Sequence, residues 1–282
     1  MVLAIRFRSF MEAFTVTNKL IIKAAARPRE LKTIINRSPD LHAFPRMLAI
    51  KKVFRAGVPT VEAGAADGWF SFELAPYFKT SIKALAYTDN EFEAMKNNIR
   101  VLGLAGTVYA GKDDAQTLNS IKDGSQGQVL LVDVLEHVED DGAAIRSANR
   151  VLKTGGRFVI SVPTPYYPYW FGERFDKIIG HQRHFTKECL ASKLEEQGFE
   201  ISDYFYYTTS ASSKLMKLWY RDLKVWPKEY EDQAGGLKIG MLSSLILPIL
   251  GALSVKLDSY DNELKGHSSL CMVAIKISDV VR

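Results

Sequence analysis

Between residues 57 and 163, short apolar runs alternate with longer stretches in which apolar residues recur at helical spacing. The apolar runs predict strands, and the longer stretches predict helices, one of which we expect Asn90 to cap and Gly103 to end. This alternation predicts a parallel sheet with helices on both faces. The predicted strands are 58–64, 82–88, 107–111, 128–135, 157–163, 199–207 and 269–277, and the predicted helices are 67–79 (broken off near Pro76), 90–104, 140–152 and 187–197.

Beyond Pro163 the pattern is less regular. An aromatic-rich connection begins at residue 164, and the helix and strand pattern returns at 187–207. We predict four parts from these changes: a basic helical cap at 1–55, a core at 56–208, a helical insertion at 209–268, and the last core strand with a tail at 269–282.

Composition and charge narrow the class of protein. The chain has 282 residues, of which 47% are hydrophobic and 24% charged, as in globular proteins. Its two cysteines form no metal or redox motif and no secretory signal is recognisable, so we expect a reduced, cytoplasmic location. Residues 1–55 carry 12 Lys/Arg against 3 Asp/Glu, a net +9. That segment suits an anionic membrane surface or a solvated helical face, and no motif indicates a nucleic-acid partner.

Glycines dominate the chain just after the first predicted strand. Gly64 and Gly68 allow a backbone to approach a ligand closely, and the start of the following helix favours an anionic group. Ligands of open parallel sheets bind at the carboxyl ends of the strands. Asp89, expected at the end of the second strand, is placed to accept hydrogen bonds from ribose hydroxyls. Together these features predict a nucleoside-bearing cofactor.

Residues 62–68, E-x-G-x-A-x-G, resemble motif I of the class I S-adenosylmethionine-dependent methyltransferases, (D/E)-x-G-x-G-x-G. Four further segments resemble that family in the same order. The resemblance covers about residues 55–208, and Ala66, Gln126-Gly127 and Thr154 depart from the family pattern. The further segments are "YTDNEFEAMKNNIRVLGL" (87–104), "GKDDAQTL" (111–118), "LLVDVLEHVEDDGAAIRSANRVLKTGGRFVISVP" (130–163) and "GHQRHFTKECLASKLEEQGFE" (180–200).

The resemblance implies a Rossmann-like α/β fold with a seven-stranded, mostly parallel sheet whose last strand is antiparallel, plus helical cap elements. It implies S-adenosylmethionine as cofactor, with Glu62 and Asp133 near its methionine end and Asp114 near its adenine. Alternatives remain open: Glu62 as a strand-end acid, and Asp114 or Asp133 as helix caps. The cofactor-binding residues implied by the resemblance are Glu62, Ala63, Gly64, Ala66, Gly68, Asp89, Asn90, Asp114, Ala115 and Asp133.

Candidate acceptor-side residues follow the fourth and fifth strands. His181 and His184 are candidate general bases, because an unperturbed histidine titrates near physiological pH; loop support is the alternative. Their spacing is weak as a metal motif, so we expect no metal. His137 either contacts substrate or braces its loop. Tyr166 and Tyr167 either face the acceptor or pack in a lid.

The predicted function is methyl transfer to a small molecule, with lipid-like or isoprenoid-like acceptors favoured. The run at 239–255 has no charged residue and is either cap-helix core or an element lying in a membrane interface. Two rival functions remain: a membrane-docked binding protein of the same fold without turnover, and a nicotinamide-dependent dehydrogenase, which the glycine spacing disfavours. The acceptor, the atom methylated and the oligomeric state stay open.

Overall fold

The computed structural model describes residues 42–218, Leu253 and residues 257–279. The predicted basic cap at 1–55 lies mostly outside this range, as do most of the 209–268 insertion and the uncharged 239–255 run apart from Leu253. In the described part of the chain, no helix combines the length and the apolar character needed to cross a membrane.

The chain divides into two compact units. The sheet unit comprises residues 49–164, 182–205 and 269–282, and the second unit comprises residues 1–48, 165–181 and 206–268. The predicted domain boundaries remain a prediction.

Seven strands form one sheet in the order β3-β2-β1-β4-β5-β7-β6. The pairs β1–β2, β1–β4, β2–β3 and β4–β5 are parallel, and β5–β7 is antiparallel. The predicted fold class is therefore confirmed. Strand order reverses between β1 and β4, which makes their carboxyl ends the switch point of the sheet. The strands are β1 (Thr60–Ala63), β2 (Ile82–Ala86), β3 (Val108–Lys112), β4 (Gln126–Val132), β5 (Leu152–Pro163), β6 (Phe199–Tyr207) and β7 (Ser269–Lys276).

Helices lie between consecutive strands, except between β3 and β4, which are connected by turns. The helices are α1 (Ala43–Val53), α2 (Trp69–Phe78), α3 (Asp89–Leu102), α4 (Asp141–Val151), α5 (Tyr167–Phe171), α6 (Glu173–Ile178), α7 (Lys187–Glu195) and α8 (Ser210–Lys217).

The cap of α3 and the course of α2 at its proline differ from the predictions. Helix α3 ends at Gly103 as expected, but its cap is Thr88, not Asn90. Thr88 and Glu91 form a capping box, in which each side chain accepts from the other's backbone N–H, so the helix starts one residue earlier than predicted. Helix α2 continues through Pro76 to Phe78 and is not broken at the proline.

Buried apolar strands form the core of the sheet unit. All four residues of β1 are buried, and so are the last five of β4. Glu62 is level with Ala84 on one neighbouring strand and Leu130 on the other, so the ends of β1, β2 and β4 lie at one edge. The free cysteines are Cys189, which is exposed on α7, and Cys271, which is buried in β7.

The described part of the second unit contains α5, α6 and α8. Its helices α5 and α6 are short and pack on each other, and the Trp170 indole N–H donates to the carbonyl of Gly266 at 2.7 Å. This bond joins α5 to the chain that precedes β7.

Candidate active site

The loop after β1 is crowded by side chains. Gly64 and Gly68 both have positive φ, at 70° and 93°. A Cβ at Gly64 would lie 2.6 Å from Val134 Cγ2, and one at Gly68 would collide with the Phe72 ring. Both positions therefore require glycine for two reasons, backbone conformation and space. Ala66 adopts the left-handed region as well, at φ 47°, although it replaces a family glycine.

Backbone hydrogen bonds fix this loop between the sheet and α2. The Ala65 N–H donates to the carbonyl of Leu85 on β2 at 2.8 Å, and the Gly68 N–H donates to the carbonyl of Ala65 at 2.8 Å. Gly68 precedes the first turn of α2 and offers no side chain to its amides. The loop thus presents backbone to the switch point of the sheet, and Ala63 beneath it is buried.

Glu62 is a buried carboxyl one residue before this loop. Its side chain accepts hydrogen bonds from the hydroxyl and the backbone N–H of Ser71 in the first turn of α2. Burial raises the pKa of Glu62 to about 7, against the opposing effect of the Ser71 hydrogen bonds, and the nearby Asp67 carboxyl also raises it. The carboxyl ties β1 to the start of α2, and near neutral pH it exists both with and without a proton.

The residues after β2 are exposed, in contrast. β2 ends at Ala86, and Asp89 is the first residue of α3, not the end of the strand as predicted. The Asp89 carboxylate accepts a hydrogen bond from Lys112 at 2.6 Å, with 82% of the side chain exposed. Asn90 is exposed as well. The shift arises because the capping box at Thr88 starts the helix before the expected residue.

The segment after β3 is held by two neighbouring carboxylates. Asp113 accepts from the amides of Asn119 and Ser120 at 3.1 and 2.6 Å, and Asp114 accepts from the amide of Gln116 at 2.8 Å. Ala115, which follows them in the chain, is buried. Both acids therefore stabilise this loop, and Asp114 binds the amide of a turn, because no helix follows it to be capped.

The chain after β4 borders the switch point on the side opposite to the loop after β1. We call residues 133–139 the β4 loop. Asp133 lies in the left-handed region at φ 51°, where the Ser161 hydroxyl donates to its carboxylate at 2.5 Å. Its N–H donates to the Ser161 carbonyl at 2.9 Å. His137 lies in the same loop with its side chain exposed.

Gln182 and Arg183 bind the β4 loop, and neither is among the site residues predicted from the sequence. The Gln182 amide donates to the carbonyl of Glu136 at 2.9 Å, and its side chain donates to that of His137 at 2.8 Å. The Arg183 guanidinium reaches three further carbonyls of the loop. The two residues lie inside "GHQRHF", a segment that resembles the family, but nothing in the sequence indicates the partner.

The remaining candidates lie after β5. In the second unit, the Asp176 carboxylate is 2.7 Å from His181 Nδ1, and both side chains are buried. The Tyr167 ring is buried and packs against Phe171 and His181, whereas Tyr166 is exposed. His184 lies in the sheet unit, half-buried, just before Phe185.

His42, for which the sequence offered no context, is the centre of a polar cluster in the second unit. Its Nδ1 is 2.6 Å from Arg46 Nη2, and its Nε2 is 3.3 Å from the Thr208 hydroxyl. Burial lowers the pKa of His42 well below its ordinary value, and the Arg46 charge lowers it further. The Asp258 carboxylate accepts from the amides of Thr208 and Thr209 at 3.1 and 2.7 Å. These contacts bring together residues far apart in sequence, which periodicity does not detect.

Comparison with known proteins finds one matching family model. A family model described as a methyltransferase domain matches residues 61–160. No curated protein matches the sequence.

Several solved structures share the fold at low identity. An S-adenosylmethionine-dependent methyltransferase from Thermotoga maritima is 18% identical, with 91% of this chain and 98% of that chain covered and a TM-score of 0.54. The [4+2]-cyclase SpnF is 18% identical, with 82% and 79% covered and a TM-score of 0.58. Geranyl diphosphate C-methyltransferase from Streptomyces coelicolor A3(2) is 12% identical, with 82% and 76% covered and a TM-score of 0.55.

The structure of the Streptomyces enzyme contains Mg²⁺, geranyl diphosphate and S-adenosyl-L-homocysteine. At these identities the likeness concerns the fold, and the family model identifies residues 61–160 as a methyltransferase domain. The strand order, the glycine loop at the switch point and the family match agree with one another. Together they show that residues 61–160 carry a methyltransferase domain, and the motifs of this region resemble those of the class I, S-adenosylmethionine-dependent family.

Proposed function

We propose that the protein binds S-adenosylmethionine and transfers its methyl group to a small-molecule acceptor. The observation that carries this proposal is the loop after β1, where two positive-φ glycines have no room for a side chain. A loop of that kind at the switch point of a parallel sheet lets the backbone approach a bound nucleoside cofactor.

The residues at the switch point fit the cofactor in part. Gly64, Ala66 and Gly68 supply backbone, and Ala63 and Ala115 are small and buried. We assign Glu62 and Asp133 to the methionine side, Asp89 and Asn90 to the ribose, and Asp114 with Ala115 to the adenine. Asp89 and Asn90 are the weakest part of this fit, because they are exposed and belong to the first turn of α3.

The chemistry requires positioning more than activation. S-adenosylmethionine, when bound, supplies an activated methyl group on a sulfonium. The chain's own task is to align a nucleophile with that methyl and to exclude water, and such alignment contributes about 7–11 kcal/mol in model reactions. A hydroxyl acceptor also needs a group that takes its proton.

We assign the role of general base to His181 in preference to His184. The Asp176 carboxylate is 2.7 Å from His181 Nδ1, a contact that fixes the ring orientation and favours the tautomer with its proton on Nδ1. With a hydroxyl acceptor, His181→Ala and Asp176→Asn should lower turnover strongly and leave cofactor affinity unchanged. His184→Ala, the matched control, should have the smaller effect, and the reverse order would reassign the base to His184.

The acceptor class we favour is lipid-like or isoprenoid-like. One neighbour of the same fold acts on geranyl diphosphate, and aromatic side chains follow β5 in this chain. Of these, we assign Tyr166 to acceptor contact because it is exposed; His137 is a second candidate because its side chain is exposed. Tyr167 is buried among aromatic rings, which supports the packed-lid alternative for that residue.

Calorimetric titration tests the cofactor assignment directly. The protein should bind S-adenosylmethionine and S-adenosylhomocysteine, and NAD should give little heat. Tight NAD binding without a response to the sulfonium cofactor would reject the proposal in favour of a dehydrogenase. Incubation with methyl-labelled cofactor and a panel of isoprenoid, lipid and polar acceptors would then identify the acceptor class by the labelled product.

A cofactor-binding protein without methyl transfer is the second candidate. The neighbour SpnF is a [4+2]-cyclase, so proteins of this fold include one named for a different reaction. Cofactor binding without formation of S-adenosylhomocysteine in the presence of any acceptor would favour this candidate.

Membrane contact is a separate proposal that rests on the sequence alone. The uncharged 239–255 run and the +9 segment at 1–55 are the two features that suit an anionic lipid surface. Flotation with anionic vesicles should show binding that weakens with salt, and Leu245→Glu with Leu250→Glu should reduce it. A protein that stays in the soluble fraction at low salt would contradict this proposal.

A further inference from the structure

The Arg183 guanidinium contacts the second part of the β4 loop, from residue 135 to residue 139. Its Nη1 donates to the carbonyl oxygens of Leu135 and Val138 at 3.1 and 2.6 Å, and its Nη2 donates to that of Glu139 at 3.0 Å. A planar guanidinium presents several N–H donors in a fixed arrangement, so one side chain can hold three carbonyls at set positions.

Gln182 completes this set of contacts. With its two bonds to Glu136 and His137, every carbonyl from residue 135 to residue 139 accepts a hydrogen bond from residue 182 or residue 183. These residues form neither a regular helix nor a strand, so neighbours must satisfy their backbone oxygens. Two adjacent residues therefore determine the path of five.

The opposite end of the same loop borders the glycine loop after β1. Val134 occupies the space beside Gly64, where a Cβ would lie 2.6 Å from Val134 Cγ2. Asp133 is held in the left-handed region by Ser161. The position of Val134 thus depends on a strained residue on one side and on the bound carbonyls on the other.

We propose that Arg183 and Gln182 are positioning residues for the cofactor: they hold the β4 loop so that Val134 and Asp133 form one wall of its site. This inference rests on the proposed function. If the hydrogen bonds from Arg183 and Gln182 are lost, the β4 loop can adopt other conformations. The cofactor must then order the loop when it binds, which lowers its affinity. Binding of S-adenosylhomocysteine should therefore weaken beyond what a general loss of stability explains.

The test compares Arg183→Met and Arg183→Lys with Lys276→Met. Lys276 is a buried side chain of the same unit that donates to the carbonyls of Asn149 and Leu152 at 2.8 and 3.0 Å. Its neighbour Ile275 pairs with Arg157, at the end of the strands opposite to the β4 loop. The loss of the Lys276 ammonium should lower thermal stability without touching the β4 loop. Calorimetric titration with S-adenosylhomocysteine, well below each unfolding temperature, and hydrogen exchange of residues 133–139 are the two readouts.

Arg183→Met should weaken S-adenosylhomocysteine binding by about tenfold or more and accelerate exchange across 133–139, with Arg183→Lys intermediate. Lys276→Met should bind within about twofold of wild type. Equal losses in both variants, or wild-type affinity and exchange in Arg183→Met, would overturn the inference. If Arg183→Met does not fold, Arg183→Lys and Gln182→Ala decide by the same two readouts. A wild-type protein that fails to bind would instead reject the proposed function.

Discussion

The ends of β1 and β2 lie at the same edge of the sheet but are built differently. At the end of β1, Glu62 is 2% exposed and Gly64 has no room for a methyl group. At the end of β2, Tyr87 is 62% exposed and the Asp89 side chain 82%. The first is part of the core, so changes there should affect folding and binding together. The second is solvated, so changes there should affect folding less than changes at the end of β1.

Gly64→Ala should have the largest effect. A left-handed alanine costs about 1–2 kcal/mol, and the added methyl forces Val134 to move, which costs about 1–3 kcal/mol more. Urea unfolding should show that the free energy of unfolding falls by an amount near the sum of the two upper values, about 5 kcal/mol. Binding of S-adenosylhomocysteine should weaken by more than about tenfold because the loop shifts.

Gly103→Ala is the matched control for that variant. Gly103 has φ 66°, close to the 70° of Gly64, but nothing lies within 4 Å of its missing Cβ. It should lose only the conformational part, about 1–2 kcal/mol, and keep wild-type cofactor affinity. Equal effects of the two substitutions on binding would mean that the space beside Gly64 is unimportant.

Glu62→Gln should change the pH dependence of stability. The pKa of Glu62 is raised from 4.5 to about 7 in the folded protein, so between these values the folded state holds a proton that the unfolded state has lost. Stability is therefore highest at the acidic end of this window and falls by about 3 kcal/mol as pH rises through it.

The glutamine variant should lose this contribution and be more stable, relative to wild type, above pH 7 than near pH 5, as denaturant unfolding at both values would show. Ser71→Ala removes a hydrogen bond that lowers the Glu62 pKa, so its stability should fall over a window that extends to higher pH. An identical pH slope in wild type and Glu62→Gln would contradict the burial of an ionisable carboxyl at this strand end.

Asp89→Ala should separate binding from folding. If Asp89 hydrogen-bonds the cofactor's ribose, the loss in S-adenosylhomocysteine affinity should be about 1.5–3 kcal/mol by titration calorimetry. The free energy of unfolding should change by less than about 1 kcal/mol, because the Lys112 ion pair is exposed. Lys112→Ala breaks the same pair and keeps the carboxylate, so it should retain affinity; equal losses in both variants would assign the effect to the ion pair.

Thr88→Ala should have the smallest effect. It removes half of the capping box at the start of α3 and should lower the free energy of unfolding by about 1 kcal/mol, measured by urea titration. Cofactor affinity should stay close to wild type. A loss of stability larger than that of Gly64→Ala would reverse the comparison between the two strand ends.

Most of the fold could be predicted from local patterns. Apolar runs that form strands, helical periodicity and a glycine that ends a helix all depend on residues close together in the chain. Gly103 was predicted correctly for that reason. The cap of α3 is also encoded locally, since Thr88 and Glu91 have the spacing of a capping box, and the prediction of Asn90 as the cap is wrong.

Other features depend on contacts between distant residues and were beyond the sequence. The carbonyls bound by Arg183 are 44–48 residues away in the chain, and His42 meets Thr208 across 166 residues. The left-handed backbone at Asp133 depends on Ser161, 28 residues away. No periodicity encodes such pairs, and composition does not indicate which polar groups will be buried together.

The two thiols give the native sequence a built-in labelling scheme. Cys189 is exposed on α7, so a maleimide dye should attach there to the folded protein without mutagenesis. Cys271 is enclosed in β7, and burial raises its thiol pKa, so the reactive thiolate is suppressed until the sheet opens. Mass spectrometry after a short alkylation pulse would therefore count one adduct on a native molecule and two on an unfolded one. The same pulse would follow unfolding in crude lysate, where optical methods fail.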